Sequence, residues 1–321
     1  MKFKPIIIVP GEPNSIFFEI FFKSLKNKKL KSPIILITSK KLFEKQAKFF
    51  KFKIKTIEID YSKKKIKKVY PNTINLINVN YDQKKIFEKI SDKSNRYIKK
   101  CFDIALDLLG KKISNKFLNG PISKKFFLKK KFSGITEYLA KKTNTKNVAM
   151  IIYNKSLSVS PITTHLPIKL ITKKITKIEI INKIKIINLF WQKHFKLKPK
   201  IGLTGLNPHC ESIDKFNEDE KIIKPAVKYL DDKGYKVSGP FSADTIFLKN
   251  NRKKFDVILG MYHDQVLPPL KTLFEFDAIN ITMGLPFLRV SPDHGPNQKM
   301  YGQNKSNPIS LIKALNFLDK K

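Results

Sequence analysis

DVILGMYHDQVLPPLK, residues 256–271, is the stretch whose reading decides the fold. Its first half is apolar and β-branched and ends at Tyr262 and His263; its second half is polar and carries Pro268 and Pro269. The pattern predicts a buried strand whose end runs into a proline-stiffened turn. The same grammar recurs upstream in LSVSPITTH (157–165) and KIGLTGLNPH (200–209), each an apolar run that ends in histidine. Working outward, PIIIV (5–9), PIILITS (33–39), FLNG (117–120), VAMIIY (148–153) and AINITMG (278–284) also read as strands, with VAMIIY paired to LSVSPITTH. Apolar residues at helical spacing predict helices from Ile16, from Lys41, over Gln83–Leu109, opening at PISKK (121–125), and over Ile175–Phe195, Glu218–Asp231 and Pro308–Leu318. Strands alternating with helices predict an α/β fold of parallel βαβ units. Such sheets bind ligands beyond the carboxyl ends of their strands.

Composition bounds what that fold does. A chain of 321 residues is long for one core, so two lobes are expected, and 41% hydrophobic residues suffice to bury them. The net charge of +39 invites a nucleic-acid reading, yet only Arg96, Arg252 and Arg289 among the 65 basic residues are arginine. Base edges and phosphates are normally gripped by the arginine fork. The excess of Lys, Ile, Asn and Phe fits drift toward AT-rich codons, so no specific nucleic-acid partner is expected, only salt-sensitive contact with polyanions. Cys101 and Cys210 are too few for a disulfide framework. No run approaches the ~20 apolar residues of a membrane span, and PIIIVP is too short for a signal-peptide core. A cytoplasmic, non-membrane protein is expected.

His165, His209 and His263 each stand at the end of a predicted strand, so one crevice would collect all three. Taken singly, each reads as a surface loop histidine; the repeated placement makes a metal site an equal reading. Imidazole nitrogens suit Zn, Co, Mn or Ni, and three protein ligands leave positions open for substrate. His194 reads as a cation at a helix end, His294 as turn structure, and Cys210 as structural. Lys271, Asn280 and Arg289 follow at intervals of nine residues. Together they offer an anion a point charge, a neutral donor and a two-pronged fork. On spacing alone, a surface cation pair beside a strand asparagine is the equal alternative.

The ordered stretches PGEP (10–13), NGPISK (119–124), ITEY (135–138), TTHLP (163–167), GLNPH (205–209), GPFSADTIF (239–247), YHDQ (262–265), NITMGLPFLR (280–289) and SPDHG (291–295) give the chain a resemblance to the PdxA family of vitamin B6 synthesis. The resemblance spans nearly the whole chain. It implies two α/β/α lobes around a central cleft, like isocitrate and isopropylmalate dehydrogenases, with the active site at a homodimer interface. The lobes are expected at 1–125 plus 275–321 and at 126–274. The implied reaction is NAD- or NADP-dependent oxidation of the C3 hydroxyl of 4-phosphohydroxy-threonine, then decarboxylation to 3-amino-2-oxopropyl phosphate. The family's metal ligands, for Zn, Co or Mg, fall on His165, His209 and His263, and its substrate contacts on Thr136, Lys271, Asn280 and Arg289. Asp264 and Asp244 are candidates for the general base.

The chain departs from the family pattern at Ile135, where the family carries a substrate-contacting histidine. Ser15, Phe17 and Val266 stand at glycine positions, and Pro296 replaces a residue with a free N–H. Bulk at glycine positions is expected to narrow the path of cofactor or substrate. The alternatives to an active member are a dehydrogenase of another phosphorylated hydroxy acid, or a weakened or non-catalytic homologue with non-specific polyanion binding.

Overall fold

The computed structural model of the chain describes residues 3–26, 30–129 and 131–321. The first elements are β1 (Ile6–Val9), α1 (Phe17–Leu25), β2 (Ile34–Thr38), α2 (Lys40–Phe49), β3 (Thr56–Glu58), β4 (Ile74–Asn78), α3 (Asn95–Gly110), β5 (Lys116–Asn119) and α4 (Ile135–Lys142). There follow β6 (Ala149–Tyr153), β7 (Ser158–Thr163), α5 (Lys177–Phe195), β8 (Ile201–Thr204), α6 (Lys224–Asp232), β9 (Val237–Phe241) and the single turns α7 (Ala243–Ile246) and α8 (Lys249–Arg252). The chain closes with β10 (Val257–Tyr262), α9 (His263–Phe274), β11 (Ile279–Met283), β12 (Leu288–Pro292) and α10 (Ile309–Lys320). The fold is α/β with mixed strand directions. It divides into two compact units, residues 1–138 with 286–321 and residues 139–285. The division falls inside α4 and after Leu285, where the sequence reading puts it after 125 and after 274.

In the first unit the strands run β3-β4-β2-β1-β5-β12, all parallel. Ile6, Ile7, Ile8 and Val9 are wholly buried, as a strand covered on both faces requires. Helix α1 brings Phe17, Phe18, Phe21 and Phe22 into the same core. Its buried Glu19 takes Lys23 Nζ at 2.8 Å and the backbone N–H of Ser306 at 2.6 Å, both on Oε1. In the second unit the order is β11-β6-β7-β10-β8-β9. Strand β6 runs against both β11 and β7, whereas β7, β10, β8 and β9 are mutually parallel. The β6–β7 hairpin is the expected pair; its turn is held by Asn154, whose Oδ1 accepts the Ser156 N–H at 2.8 Å.

Three local expectations are corrected. The helix expected over Gln83–Leu109 starts only at Asn95. Before it, Glu88 Oε1 accepts the Lys84 N–H at 2.9 Å and Gln83 Nε2 donates to Ile86 O at 2.7 Å, so side chains fold residues 83–88 into a loop. The helix that opens at PISKK (121–125) is only a five-residue π turn, Lys124–Leu128, with the Ser123 hydroxyl accepting the Phe126 N–H at 3.3 Å. The turn expected in MYHDQVLPPLK is instead α9, with both prolines inside it. An interior proline costs a helix ~3 kcal/mol through its missing N–H and ring clash. Val266, Leu267 and Leu270 are buried on the core side of α9, and burial of each contributes ~1.5–3 kcal/mol, enough to hold the segment helical.

Candidate metal and substrate site

Strands β7, β10 and β8 are adjacent and parallel, so their carboxyl ends lie on one edge of the second unit's sheet. Each of those ends carries one of the three histidines. Tyr262 pairs with Thr163 in register, and the Thr163 hydroxyl donates to Met261 O at 2.9 Å. That lock sets His263, the first residue of α9, beside His165, with ring centroids 5.8 Å apart. Asp264 Oδ1 lies 2.5 Å from His263 Nδ1. A carboxylate accepting from Nδ1–H fixes the ring and leaves the Nε2 lone pair for a ligand.

His209 stands further from its strand, on a turn where it and Cys210 both take left-handed backbone, with φ of 55° and 63°. The turn is held from beneath by a wholly buried carboxylate, Asp219. Its oxygens accept the N–H groups of Leu206 at 2.7 Å and Asn207 at 3.1 Å, and the Asn207 amide at 3.0 Å. Gly205 is required: a Cβ there would lie 2.6 Å from Cys210 Sγ and 2.7 Å from Asp219 Oδ1. Cys210 thereby packs into the turn, and burial raises its thiol pKa. Asp244 Oδ2 stands 4.0 Å from His209 Nδ1, so both aspartates singled out as bases are placed beside histidines.

A buried glutamine joins the β10 and β8 ends. Gln265 Oε1 accepts from Thr204 Oγ1 at 2.6 Å and from Met261 N at 2.8 Å, while its Nε2 donates to Gly205 O at 2.7 Å. The sequence reading counts Gln265 among the residues able to do chemistry but gives it no role, and passes over Asp219. The signal for Gln265 is its place two residues after His263 in YHDQ; Asp219 carries none, because it acts from ten residues past His209.

Among the described residues, no group of three or more His, Cys, Asp or Glu side chains is gathered tightly enough to hold a metal ion. His165 and His263 adjoin and His209 is not gathered with them, so the expected convergence is met only at the level of strand ends. The donor set itself fits a divalent cation: three imidazoles on adjacent strand ends, one with a carboxylate at its second nitrogen.

Of the anion residues, Lys271 lies in α9 and Asn280 in β11, both in the second unit; Thr136 and Arg289 belong to the first. Arg289 is 1% exposed, and its Nε donates to Asn119 Oδ1 at 2.7 Å. Burial pushes its pKa down to about 9, against the pull of the Glu137 carboxylate, so it stays charged at neutral pH. Glu137 Oε2 is buried without a hydrogen-bond partner among the described residues.

The departures at glycine positions turn inward. Val266 is wholly buried among Ile152, Val159 and Leu270 and packs over Gly260, where a Cβ would lie 2.4 Å from it. Phe17 stacks on Phe21, with centroids 5.8 Å apart, within the core. Ser15 Oγ donates to Glu12 O at 2.7 Å and accepts the Phe17 N–H at 3.3 Å, which shapes the start of α1. Pro296 O accepts the Ile16 N–H at 3.2 Å. His294 Nδ1 lies 2.9 Å from Gly295 O, a local turn contact, and His194 is in the last turn of α5.

The profile of a family described as "Pyridoxal phosphate biosynthetic protein PdxA" matches residues 29–318. The 4-hydroxythreonine-4-phosphate dehydrogenase of Sulfurihydrogenibium sp. (strain YO3AOP1) is 39% identical over 316 residues, covering 97% of this chain and 96% of its own. That of Aquifex aeolicus is 32% identical over 321 residues, covering 98% of each. Among solved structures, the crystal structure of 4-hydroxythreonine-4-phosphate dehydrogenase from Klebsiella pneumoniae matches with a TM-score of 0.82 at 27% identity, covering 98% of both chains.

Proposed function

The chain belongs to the PdxA family of pyridoxal phosphate synthesis, and from that premise we propose how its residues carry out the dehydrogenase reaction. It is an oxidoreductase, a 4-hydroxythreonine-4-phosphate dehydrogenase; the reaction oxidises the C3 hydroxyl of 4-phosphohydroxy-L-threonine, for which NAD or NADP would supply the hydride acceptor. Decarboxylation to 3-amino-2-oxopropyl phosphate follows. The observation that carries the site assignment is the placement of His165, His263 and His209 on the carboxyl ends of three adjacent parallel strands.

In this reading those histidines hold a divalent cation, Zn, Co or Mg. When bound, it supplies Lewis acidity to the substrate's hydroxyl oxygen and later to its ketone. Asp264 orients His263 through Nδ1, and Asp244 stands to do the same for His209. Arg289 grips the anionic end of the substrate by its fork, with Lys271 as a point charge and Asn280 and Thr136 as neutral donors. A buried arginine cannot swing, so it orients substrate as well as attracting it. A homodimer with the active site at its interface, an isocitrate- or isopropylmalate-dehydrogenase-like pair of lobes, and a cytoplasmic setting belong to the same proposal. Support for the lobes is the division into two units; for the setting, no described helix is long and apolar enough to cross a membrane.

The test is NADH formation from 4-phosphohydroxy-L-threonine, with metal-free protein and after addition of zinc, cobalt or magnesium. Metal-dependent turnover is expected. Absence of turnover by folded, metal-loaded protein overturns the assignment. Ile135 motivates a second reading, another phosphorylated hydroxy acid, which higher kcat/KM with such a substrate would establish.

A further inference from the structure

An arginine that orients a substrate must itself be held. For Arg289 the support lies within the first unit, in two stretches that the dehydrogenase reading leaves without a role, PGEP (10–13) and NGP (119–121). β1 and β5 are parallel neighbours with Val9 opposite Asn119, so both stretches leave the same edge of the sheet side by side. There the two backbones touch. The Gly120 N–H donates to Val9 O at 2.8 Å, and the Glu12 N–H donates to Pro121 O at 2.8 Å. A Cβ on Gly120 would lie 2.0 Å from Pro10 O, and one on Gly11, whose φ is 80°, would lie 2.2 Å from Pro121 O. Only glycine fits either position, so the Gly120 carbonyl sits on a rigid backbone platform.

Asn119, the last residue of β5, joins that platform to the arginine. It is 2% exposed. Its Nδ2 donates to Gly120 O at 2.8 Å, and its Oδ1 accepts Arg289 Nε at 2.7 Å. The two contacts demand a donor and an acceptor on one short side chain. An aspartate would set a second oxygen against the Gly120 carbonyl, and a leucine of similar shape would meet neither partner. β12 pairs with β5, with Arg289 opposite Phe117, which places the arginine's backbone. The bond to Nε then fixes the guanidinium plane. With Nε taken, a two-pronged contact to an oxyanion can be made only along the edge of the two terminal nitrogens. The Glu137 carboxylate favours the charged guanidinium, so charge and aim have separate sources.

We infer that Asn119 is a positioning residue of the dehydrogenase: seated where PGEP and NGP meet, it turns the fork of Arg289 toward the anionic end of the substrate. The inference rests on the role of Arg289 in the proposed function. A double-mutant cycle of Asn119→Leu and Arg289→Lys tests it. The readouts are KM and kcat for 4-phosphohydroxy-L-threonine and calorimetric affinity for the same compound, which needs no turnover. Asn119→Leu is expected to raise KM and weaken binding about tenfold, to move kcat less, and to leave zinc affinity unchanged. Arg289→Lys is expected to weaken binding at least as much, since lysine has no fork. In the Arg289→Lys background, Asn119→Leu then changes affinity by less than about twofold, because the group it aims is gone. Asn119→Ser, which leaves room for a water, repeats the cycle should the leucine variant not fold. Full additivity of the two losses, or a lower melting temperature with affinity unchanged, overturns the inference and leaves Asn119 a structural residue. An Arg289→Lys variant that binds as the parent does removes Arg289 from the substrate site, and the inference with it. A parent with neither binding nor turnover overturns the functional reading itself.

Discussion

Glu12, in the PGEP stretch, is 1% exposed, and burial raises its pKa from 4.5 to about 7, against the lowering hydrogen bonds from Asn14 and Ser94. Between those two values the native state keeps a proton that the unfolded chain has lost. Stability from this group is therefore full below pH 4.5 and is lost as the pH rises through 7. Glu12→Gln is expected to melt like the parent at acid pH and to be more stable at pH 8, by on the order of 2–3 kcal/mol. Thermal melts across that range decide it; a difference independent of pH would mean that Glu12 does not hold the proton. At Ile135, the first residue of α4, restoring the family's histidine supplies a polar donor to the substrate. Ile135→His is expected to lower KM several-fold, in line with the ~1–3 kcal/mol cost of a buried unmet polar group. An unchanged KM would show that the helix start has repacked around isoleucine.

At the scale of elements, what the sequence made legible is what periodicity encodes. β1, β2, β7, β8, β10 and β11 are apolar runs, and α1, α2, α5 and α10 carry regular apolar spacing, so periodicity locates each of them. Strands β3, β4, β9 and β12 are not legible in the sequence, for local reasons. β4 is INLIN, and its wholly buried Asn75 looks like a loop residue until its amide is seen donating to Ile34 O at 3.0 Å and Tyr70 O at 2.8 Å. β9 is VSGPF, with Gly and Pro at its centre. In α9 the burial of Val266 and Leu270 outweighs the two prolines, which by themselves spell a turn. The histidines of the candidate site were legible because they stand at strand ends; their supports were not, since Asp219 acts through space. Asp219→Ala frees the Leu206 and Asn207 N–H groups and lets the His209 turn relax. Metal affinity is expected to fall ~10–100-fold while the protein stays folded, as for the loss of an outer-shell partner. Calorimetric zinc titration checks this, and unchanged affinity would remove the turn from the site.

At the scale of the molecule, the charge of +39 sits on a fold whose interior, among the described residues, buries only two cations, Lys116, which donates to Ser32 Oγ at 2.9 Å, and Arg289. Lysine enrichment is thus a property of the surface and leaves the β-sheet cores apolar. One further consequence lies in the distances along the chain between His165, His209 and His263, 44 and 54 residues. An unfolded chain offers such dispersed donors no common site, so a cation that needs all three binds only the native state. Its binding free energy then adds to folding by mass action, ~2.7 kcal/mol at a free concentration one hundred times Kd. Zinc is accordingly expected to raise the melting temperature in a concentration-dependent way, and a chelator to return it to the metal-free value. The ion would act as a clamp on three strands as well as a participant in chemistry, and starvation for metal would be felt as loss of the protein before loss of its rate.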